Sequence, residues 1–402
     1  MFPNYGSVPK LRFSEFSDEW ENKKLGDLMT FKVTNSYSRD NLNYESGIVK
    51  NIHYGDIHTK FQTLFDLEKE NVPYINEDIS LNRISKDFYC QEGDVIFADA
   101  SEDLNDVGKS IEITNLNGEK LLSGLHTLLA RPQKNNFSKG FLGYLLKSDF
   151  VRNQIKREAQ GSKVLSINVG RICNIYLSFP SISEQKKISE FLSLLDKRIL
   201  CSKKIIEQLE TLMSNLKDFL FEQQLRFKDE KGNKFPNWQK VKLENICEKQ
   251  SSSISANKIE DNYGDYPIYS ATGILKQINF YEVENDYISI IKDGAGVGRL
   301  HYCKGKSSVL GTLDIIKSKN VNLYFLFLIL SRINFKKYIT GSTIPHIYFK
   351  DYKNEKFKIP SLEEQDEIVN FFRRLDDKIN LEKELLAQYE NQKKYLLQNL
   401  FV

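Results

Sequence analysis

Two histidines and one glutamate–lysine pair are of residue types that could form a metal or catalytic site. His53 and His58 lie five positions apart, and an imidazole ring can bind a metal ion or transfer a proton near neutral pH. No carboxylate or cysteine completes a metal-ligand spacing with them, so the sequence predicts ordinary strand or surface histidines. Glu21 and Lys23 match the tail of a nuclease-type Glu-x-Lys motif, but no Pro-Asp dipeptide occurs in the chain. Neither group predicts catalysis.

The glycine-rich segment Asp293–Arg299 could be interpreted as a nucleotide-binding loop. Glycine allows the backbone to approach a phosphate closely. A dinucleotide fingerprint needs G-x-G-x-x-G at the start of a helix, whereas the glycines here alternate with other residues. The pattern therefore favours a tight turn that presents Arg299, with nucleotide binding as the alternative.

The familiar catalytic motifs are missing from the sequence. It contains no G-x-x-x-x-G-K-[ST], no H-E-x-x-H, no G-x-S-x-G and no Asn/Asp-Pro-Pro-aromatic motif of amino-methylating enzymes. Its five cysteines have no C-x-x-C spacing, which predicts reduced thiols in a cytoplasmic protein. No signal-peptide pattern and no apolar run of ~18 residues occurs. We expect a non-catalytic cytoplasmic chain without a metal site or membrane contact.

An internal repeat dominates the organisation of the chain. Residues 161–199 and 341–379 align without a gap at an offset of 180 positions, and 13 of the 39 pairs are identical. The shared pattern is Pro-Ser-x-x-Glu-Gln-x-x-Ile-x-x-Phe, which begins at Pro180 in the first copy. A second repeated motif, Trp-x-x-x-Lys-Leu, begins at Trp20 and again at Trp238, an offset of 218 positions. Two copies of one frame therefore enclose segments that differ in length by 38 residues.

Each repeated segment predicts a long helix. Apolar residues follow one another in steps of four and three, the heptad pattern of paired helices, and at ~1.5 Å per residue each helix would be roughly 50 Å long. A small domain cannot cover such a helix, so we expect the two copies to pair; burial in two separate cores is the alternative. The predicted helix-pairing residues are Ile188, Leu192, Leu195, Ile199, Ile206 and Leu209, with Ile368, Phe372, Leu375, Ile379, Leu386 and Leu396.

The segments between the helices predict mixed α/β domains. Residues 94–98 and 287–291 are strand-like runs bounded by turn residues. An aspartate follows each run, Asp99 in the first copy and Asp293 in the second, and leads to a Val-Gly turn that ends in a cation, Lys109 or Arg299. The predicted fold class is α+β. It comprises two mixed α/β domains separated by two long, antiparallel coiled-coil helices, with a pseudo-twofold internal repeat.

Together these motifs resemble the specificity subunits of type I restriction–modification enzymes. The resemblance rests on Pro9–Phe13 with Trp20, on the repeated Pro-Ser-x-x-Glu-Gln pattern, on the Asp293–Arg299 turn and on the C-terminal Lys-Lys-x-Leu-Leu-Gln, and it covers nearly the whole chain. It implies target-recognition domains at residues 1–180 and 227–360, each followed by a spacer helix, at 181–226 and 361–402.

The resemblance also implies a function. Each target-recognition domain would read one half of a bipartite, asymmetric site in double-stranded DNA, while the helices set the spacing and dock two modification (methyltransferase) subunits. This chain would bind no cofactor; S-adenosylmethionine would belong to the modification subunits, and ATP with Mg to the restriction (translocase/endonuclease) subunits. A net charge of +3 is modest for a DNA-binding protein, which suits a subunit whose partners share the phosphate contacts.

Basic residues beside the predicted turns and loops are the candidate DNA contacts: Lys109, Lys163, Arg171, Arg299 and Lys350. Three other functions stay open at this point, namely a coiled-coil adaptor or scaffold that does not bind DNA, a DNA-modifying enzyme and a stand-alone repressor. The missing catalytic motifs count against the enzyme, and the lack of a helix-turn-helix pattern counts against the repressor.

Overall fold

The computed structural model describes residues 8–133 and 136–402, and the chain divides into two compact units. Unit 1 contains the described residues up to Lys203 together with Glu384–Val402, and unit 2 contains Lys204–Lys383. Each unit includes the first part of one long helix and the last part of the other. Within the described ranges, no helix is both long and apolar enough to cross a bilayer.

Unit 1 carries two main sheets. Its strands are β1 (Glu21–Lys24), β2 (Met29–Lys32), β3 (Leu42–Asn43), β4 (Val49–Ile52), β5 (Leu64–Asp66), β6 (Tyr74–Ile75), β7 (Val95–Ala98), β8 (Ala100–Ser101), β9 (Ser110–Asn115), β10 (Lys120–Ser123), β11 (Thr127–Pro132), β12 (Leu165–Ser166) and β13 (Tyr176–Phe179). The five-stranded sheet has the order β2-β11-β7-β9-β5 and the four-stranded sheet the order β10-β4-β6-β3. Two short pairs, β1 with β13 and β8 with β12, complete the described strands.

Short helices connect these strands. They are α1 (Leu25–Leu28), α2 (Tyr54–Thr59), α3 (Phe141–Leu145), α4 (Asp149–Glu158) and α5 (Val169–Ile172), followed by the long α6 (Ile182–Phe221) and with 3₁₀ turns at Arg39–Asn41 and Lys86–Phe88. All four residues of β7 are buried. Because alternate side chains of a strand point to opposite faces, both faces of β7 are covered. Val95 and Phe97 lie in the core shared with α3 and α6, and Ile96 and Ala98 lie in the core shared with α2.

Unit 2 is the smaller version of the same arrangement. Its strands are β14 (Gln239–Lys242), β15 (Cys247–Ser251), β16 (Tyr266–Ser270), β17 (Gly273–Ile278), β18 (Tyr287–Ile291), β19 (Leu300–Cys303), β20 (Ser308–Val309), β21 (Leu313–Ser318) and β22 (Lys356–Ile359). Its helices are α7 (Leu243–Ile246), α8 (Leu323–Leu330), α9 (Phe349–Tyr352) and the long α10 (Leu362–Asn399), with 3₁₀ turns at Ala256–Ile259 and Phe335–Tyr338. The sheets have the orders β15-β21-β18-β19 and β17-β16-β20, and β14 pairs with β22.

The two units share one frame, as the repeat predicts. Glu21 lies opposite Phe179 in the β1–β13 pair, and Gln239 lies opposite Ile359 in the β14–β22 pair. The order β2-β11-β7-β9 recurs as β15-β21-β18-β19, and the parallel pair β4–β10 recurs as β16–β20. Helix α2 and strand β5, in the longer first copy, have no counterpart among the described elements of unit 2. The predicted fold class of two mixed α/β domains with two long helices is confirmed.

The long helices run antiparallel within each unit. In unit 1, Lys393 pairs with Asp196, and Lys203 Nζ lies 2.8 Å from Glu390 Oε1, so the position on α10 falls as the position on α6 rises. In unit 2, Lys383 Nζ lies 2.6 Å from Glu210 Oε1. The Lys203–Glu390 and Lys383–Glu210 pairs are about half exposed and contribute little energy, but all three pairs show the direction of the helices.

The predicted helix-pairing residues are covered by two kinds of neighbour, the other helix and the globular core. Unit 1 buries Ile188, Leu192, Leu195, Ile199 and Leu396 and partly buries Leu386, whereas unit 2 buries Ile368, Phe372 and Ile379 and partly buries Leu209 and Leu375. Ile206 is also buried. The first turns of each helix thus lie among residues of the sheet domains, because the heptad stripe continues into the domain core. A role for these residues in spacing the two domains stays a prediction.

The repeated Glu-Gln pair anchors the segment that leads into each domain. Glu184 accepts two hydrogen bonds from Arg12, at 2.8 Å from Nε and 2.7 Å from Nη2. Glu364 accepts the same pair from Arg226, at 2.9 and 3.0 Å. Both carboxylates are buried, and bidentate arginine–carboxylate pairs are among the strong hydrogen bonds of proteins. Trp238 Nε1 donates to Glu364 as well, at 3.0 Å.

The glutamine of the pair has its own repeated role. Gln185 Nε2 donates to Pro180 O at 2.9 Å, and its Oε1 accepts from the backbone N–H of Ser138 at 2.9 Å. Gln365 accepts from the backbone N–H of Asn322 at the same distance. One side chain therefore ties the start of a long helix to a backbone segment of the preceding sheet domain.

We expect Glu364→Ala to lower the free energy of unfolding by about 3 kcal/mol, because it leaves Arg226 and Trp238 without their buried acceptor. Glu363→Ala is the matched control: Glu363 is the preceding residue of the same helix and is exposed, so it should change stability by less than about 0.5 kcal/mol. Urea titration followed by circular dichroism measures both values. Equal losses would contradict the structural role of the Glu364 carboxylate.

Candidate nucleic-acid interface

The last residue of the central strand occupies the same environment in both units. In unit 1, the backbone N–H of Ala98 donates to Lys109 O at 2.8 Å; in unit 2, that of Ile291 donates to Arg299 O at 3.0 Å. The register therefore places Lys109 and Arg299 at one equivalent position, at the end of the turn that leads into the next strand.

Glycine is required in this turn. Gly108 has φ +64°, and a Cβ atom there would lie 2.7 Å from Cγ2 of Ile155. Gly298 has φ +86°, and a Cβ atom there would lie 2.6 Å from Cβ of Phe335. Any residue other than glycine would be strained at these positions, because the backbone is left-handed and the neighbouring side chains leave no room for a Cβ atom. The glycine-rich segment of unit 2 is thus a tight turn between β18 and β19, as the alternation of its glycines predicts.

A loop closed by backbone hydrogen bonds lies beside each strand end. Gln160 and Ser166 exchange two bonds of 2.9 and 2.7 Å, and Thr340 and His346 exchange two bonds of 2.9 and 2.8 Å. The residues at both loop tips are exposed, Lys163 among them. Loops held at their base in this way present side chains to a partner without losing much additional backbone entropy on binding.

Two of the five cations predicted to contact DNA have protein partners. Lys109 Nζ donates to His58 O at 2.6 Å and lies 3.5 Å from Asp106 Oδ1. Arg171 Nη1 lies 3.3 Å from Glu158 Oε2. Both cationic side chains are about one-third exposed, so they keep donors that face solvent.

The other three predicted cations are exposed. Lys163 lies at the loop tip of unit 1, and Arg299 follows the glycine turn of unit 2. Lys350 lies on α9 with Nζ 5.1 Å from the centroid of the Tyr348 ring, within the range of a cation–π contact. The structure thus divides the five predicted cations between the units, three in unit 1 and two in unit 2.

A cavity of about 590 Å³ opens at the strand end of unit 2, and Lys350 is among the residues that line it. Asp314 lies at its base and is 5% exposed. Its Oδ1 accepts from Ser251 Oγ at 2.8 Å and from Lys292 Nζ at 3.1 Å, and Lys249 Nζ lies 3.9 Å from its Oδ2. One carboxylate therefore holds Lys292 by a charge-assisted hydrogen bond and lies within ion-pair distance of Lys249.

The corresponding strand end of unit 1 carries different chemistry. His126 has φ +55°, unusual for a residue with a side chain, and its Nδ1 lies 3.2 Å from Asp99 Oδ1. The ring of Tyr54 packs edge-on against His126 with centroids 5.3 Å apart. Burial raises the pKa of the Asp99 carboxyl above its usual value, although His126 opposes this effect. Unit 1 thus has a hydrogen-bonded histidine–aspartate pair, His126 with Asp99, in the region where unit 2 has lysines.

The sequence pattern missed these strand-end residues. It aligned Asp99 with Asp293, two aspartates that follow similar strands, and it gave no role to Lys292 or His126. Among the described residues, no group of three or more His, Cys, Asp or Glu side chains could hold a metal ion. His58, predicted to be an ordinary histidine, binds the Ala100 carbonyl through Nε2 at 3.0 Å.

The family model of the type I restriction modification DNA specificity domain matches the chain at residues 17–211 and 236–391. Both copies of the frame are therefore matched. The chain is 27% identical over 415 residues to a protein of Methanocaldococcus jannaschii designated the MjaX type I restriction enzyme specificity subunit, covering 96% of this chain and 94% of that one. The MjaVIII specificity subunit of the same organism is 26% identical, with 67% of this chain and 71% of the relative covered.

Two solved structures share the fold. The crystal structure of the S subunit of a type I restriction-modification system from M. genitalium superposes with a TM-score of 0.66 and 17% identity, covering 98% of this chain and 99% of that chain. A chain from a study of the assembly and conformational transition of a type I system superposes with a TM-score of 0.53 and 16% identity, covering 94% and 96%.

The glycine turn gives a direct stability test. Gly298→Ala should cost roughly 2–4 kcal/mol of folding free energy, since it combines a left-handed backbone with a clash against Phe335. Gly294 is the control, because it also has a positive φ but no atom within 4 Å of an added Cβ, so Gly294→Ala should cost about 1 kcal/mol. The two variants are compared by thermal unfolding. A cost for Gly294→Ala that equals or exceeds that for Gly298→Ala would contradict this packing.

Proposed function

The chain belongs to the type I restriction modification DNA specificity family, and we propose that it selects the DNA site for a modification complex and does no chemistry itself. Each of its two recognition domains reads one half of a bipartite, asymmetric site. In this proposal the recognition domains span residues 1–180 and 227–360, and the helical regions 181–226 and 361–402 set the distance between the halves.

One observation carries this proposal. The family match covers both copies of the frame, and the two copies keep one four-strand order and one glycine turn while they differ in length and in the side chains at the strand ends. Two different readers on one duplicated frame suit two different half-sites. An adaptor that does not bind DNA is not favoured, because the match is to a DNA specificity domain along most of the chain.

The chemistry belongs to the partner subunits in this proposal. A modification subunit would bind S-adenosylmethionine and methylate adenine, and a restriction subunit would use ATP and Mg. The five predicted cations, Lys109, Lys163, Arg171, Arg299 and Lys350, would supply phosphate or base contacts. Phosphate contacts hold a protein in register on the duplex, whereas base contacts carry the sequence information.

Mapping of methylated adenines tests the function. A host without adenine methylation should acquire methyl groups at one bipartite, asymmetric sequence when it expresses this chain together with its modification subunit. The purified chain alone should transfer no methyl group to DNA. Methylation by the chain alone, or methylation at unrelated sequences in the presence of the partner, would contradict the proposal.

Two equivalent surfaces suit two copies of the modification subunit. Phe191 and Phe371, which are 180 positions apart, are 39% and 37% exposed at the start of the long helices. Each packs edge-on against an aromatic residue of the lead-in segment: Phe13 at 5.8 Å in unit 1 and Phe227 at 5.7 Å in unit 2. An exposed aromatic pair repeated in both units is an expected anchor for a protein interface.

We expect Phe191→Ser and Phe371→Ser each to remove one of two bound modification subunits, and the double variant to remove both. Native mass spectrometry of the complex measures the stoichiometry. The control is Phe219→Ser, because Phe219 is 47% exposed on α6 but has Asn399 at the repeat-equivalent position. Retention of two subunits by the double variant would show that the anchor lies elsewhere.

A further inference from the structure

Two residues of opposite charge occupy one position of the duplicated frame. The backbone N–H of Asp99 donates to His126 O at 3.0 Å, and the backbone N–H of Lys292 donates to Thr312 O at 3.0 Å. Each residue directly follows the central strand of its unit, Asp99 after Ala98 in β7 and Lys292 after Ile291 in β18. The backbone N–H groups of Asp99 and Lys292 therefore donate to equivalent carbonyl groups in the two units.

The backbone carbonyl groups of Asp99 and Lys292 also accept from equivalent residues. Ile167 N–H donates to Asp99 O at 2.8 Å, and Ile347 N–H donates to Lys292 O at 2.9 Å. Ile167 and Ile347 are identical residues 180 positions apart in the repeat. Asp99 and Lys292 are thus equivalent by two independent backbone contacts, which makes the difference between their side chains a substitution within one frame.

Each side chain is held by a partner and keeps a free hydrogen-bonding function. Asp99 Oδ1 faces His126 Nδ1 at 3.2 Å, and the Asp99 side chain is 26% exposed. Lys292 Nζ donates to Asp314 Oδ1 at 3.1 Å, and the Lys292 side chain is 21% exposed. An aspartate can accept further hydrogen bonds and a lysine can donate further ones, so the two units present opposite chemistry at the same point.

The neighbouring charges favour contact with bases over contact with phosphates. Lys292 is paired with Asp314, and Asp99 is an acid, so neither side chain is itself an unpaired cation of the kind that binds phosphate. Base edges in the major groove are instead read by polar side chains that are held in fixed positions. Exposed cations such as Lys163 remain available to bind the phosphates of the DNA backbone.

We propose that Asp99 and Lys292 are equivalent base-reading residues, one in each recognition domain. Lys292 donates to the acceptor edge of a guanine, and Asp99, held by His126, accepts from the amino group of a cytosine or an adenine. The inference rests on the proposed function and deepens it, because it names the position that makes the two half-sites different.

The test maps methylated adenines in a host that expresses the modification subunit with the wild-type chain or with one variant. Lys292→Met removes the donors at similar length, and Asp99→Asn keeps the shape of the side chain while it adds a donor. Each variant should relax or change the preferred base at one position of one half-site by roughly tenfold or more. The other half-site and the gap should be unchanged. Lys292→Arg, which retains charge and donors, should keep the guanine.

Two matched lysines control for general effects. Lys319→Met, at an exposed position beyond the same sheet, should leave the methylated sequence and its occupancy as in the wild type. Lys163→Met, the expected phosphate contact, should lower occupancy at all sites without altering the sequence. If Lys292→Met and Asp99→Asn behave like Lys163→Met, or change nothing, the proposal is wrong.

Thermal unfolding of each purified variant separates misfolding from a change in recognition. If Lys292→Met does not fold, Asp99→Asn decides the question, since an unchanged half-site in that folded variant overturns the proposal. A failure of the proposed function has a different signature, because then the wild-type chain itself would direct no methylation to a bipartite site.

Discussion

A buried carboxylate at the start of each long helix is the interaction on which the rest of the structure depends. Glu184 and Glu364 reach arginines 172 and 138 positions away in the chain. An ionised carboxylate out of water is costly unless it is paired, so each arginine must hold its lead-in segment against the helix. That segment continues into β1 or β14, whose pairing with β13 or β22 closes the domain.

The same frame then supports two different surfaces. Strands β7 and β18 are fully buried, which fixes their ends and the glycine turns beside them at Gly108 and Gly298. Side chains at these ends can vary because they are only partly buried and do not build the core. Rigid scaffold and variable strand end are therefore separate parts of the fold, an arrangement typical of recognition domains.

Charge is distributed in keeping with this separation. The net charge of +3 is small, and several cations near the strand ends are already paired, as Lys292 is with Asp314 and Arg171 is with Glu158. Paired cations contribute less to non-specific attraction and more to the geometry of recognition. Affinity for DNA would then depend on the assembled complex, and this chain would mainly supply the choice of sequence.

The repeat, the long helices, the central strands and the turn glycines could be predicted from the amino-acid sequence, because periodicity, spacing and backbone conformation are local properties. The partners of Arg12 and Arg226 could not be predicted, and neither could the cover of the heptad stripe by the sheet cores as well as by the other helix, because both depend on how distant segments pack. The tertiary structure also shifted the alignment of Asp99 from Asp293 to Lys292. A one-residue shift cannot be read from two diverged strands, since it is set by hydrogen bonds to residues distant in the chain.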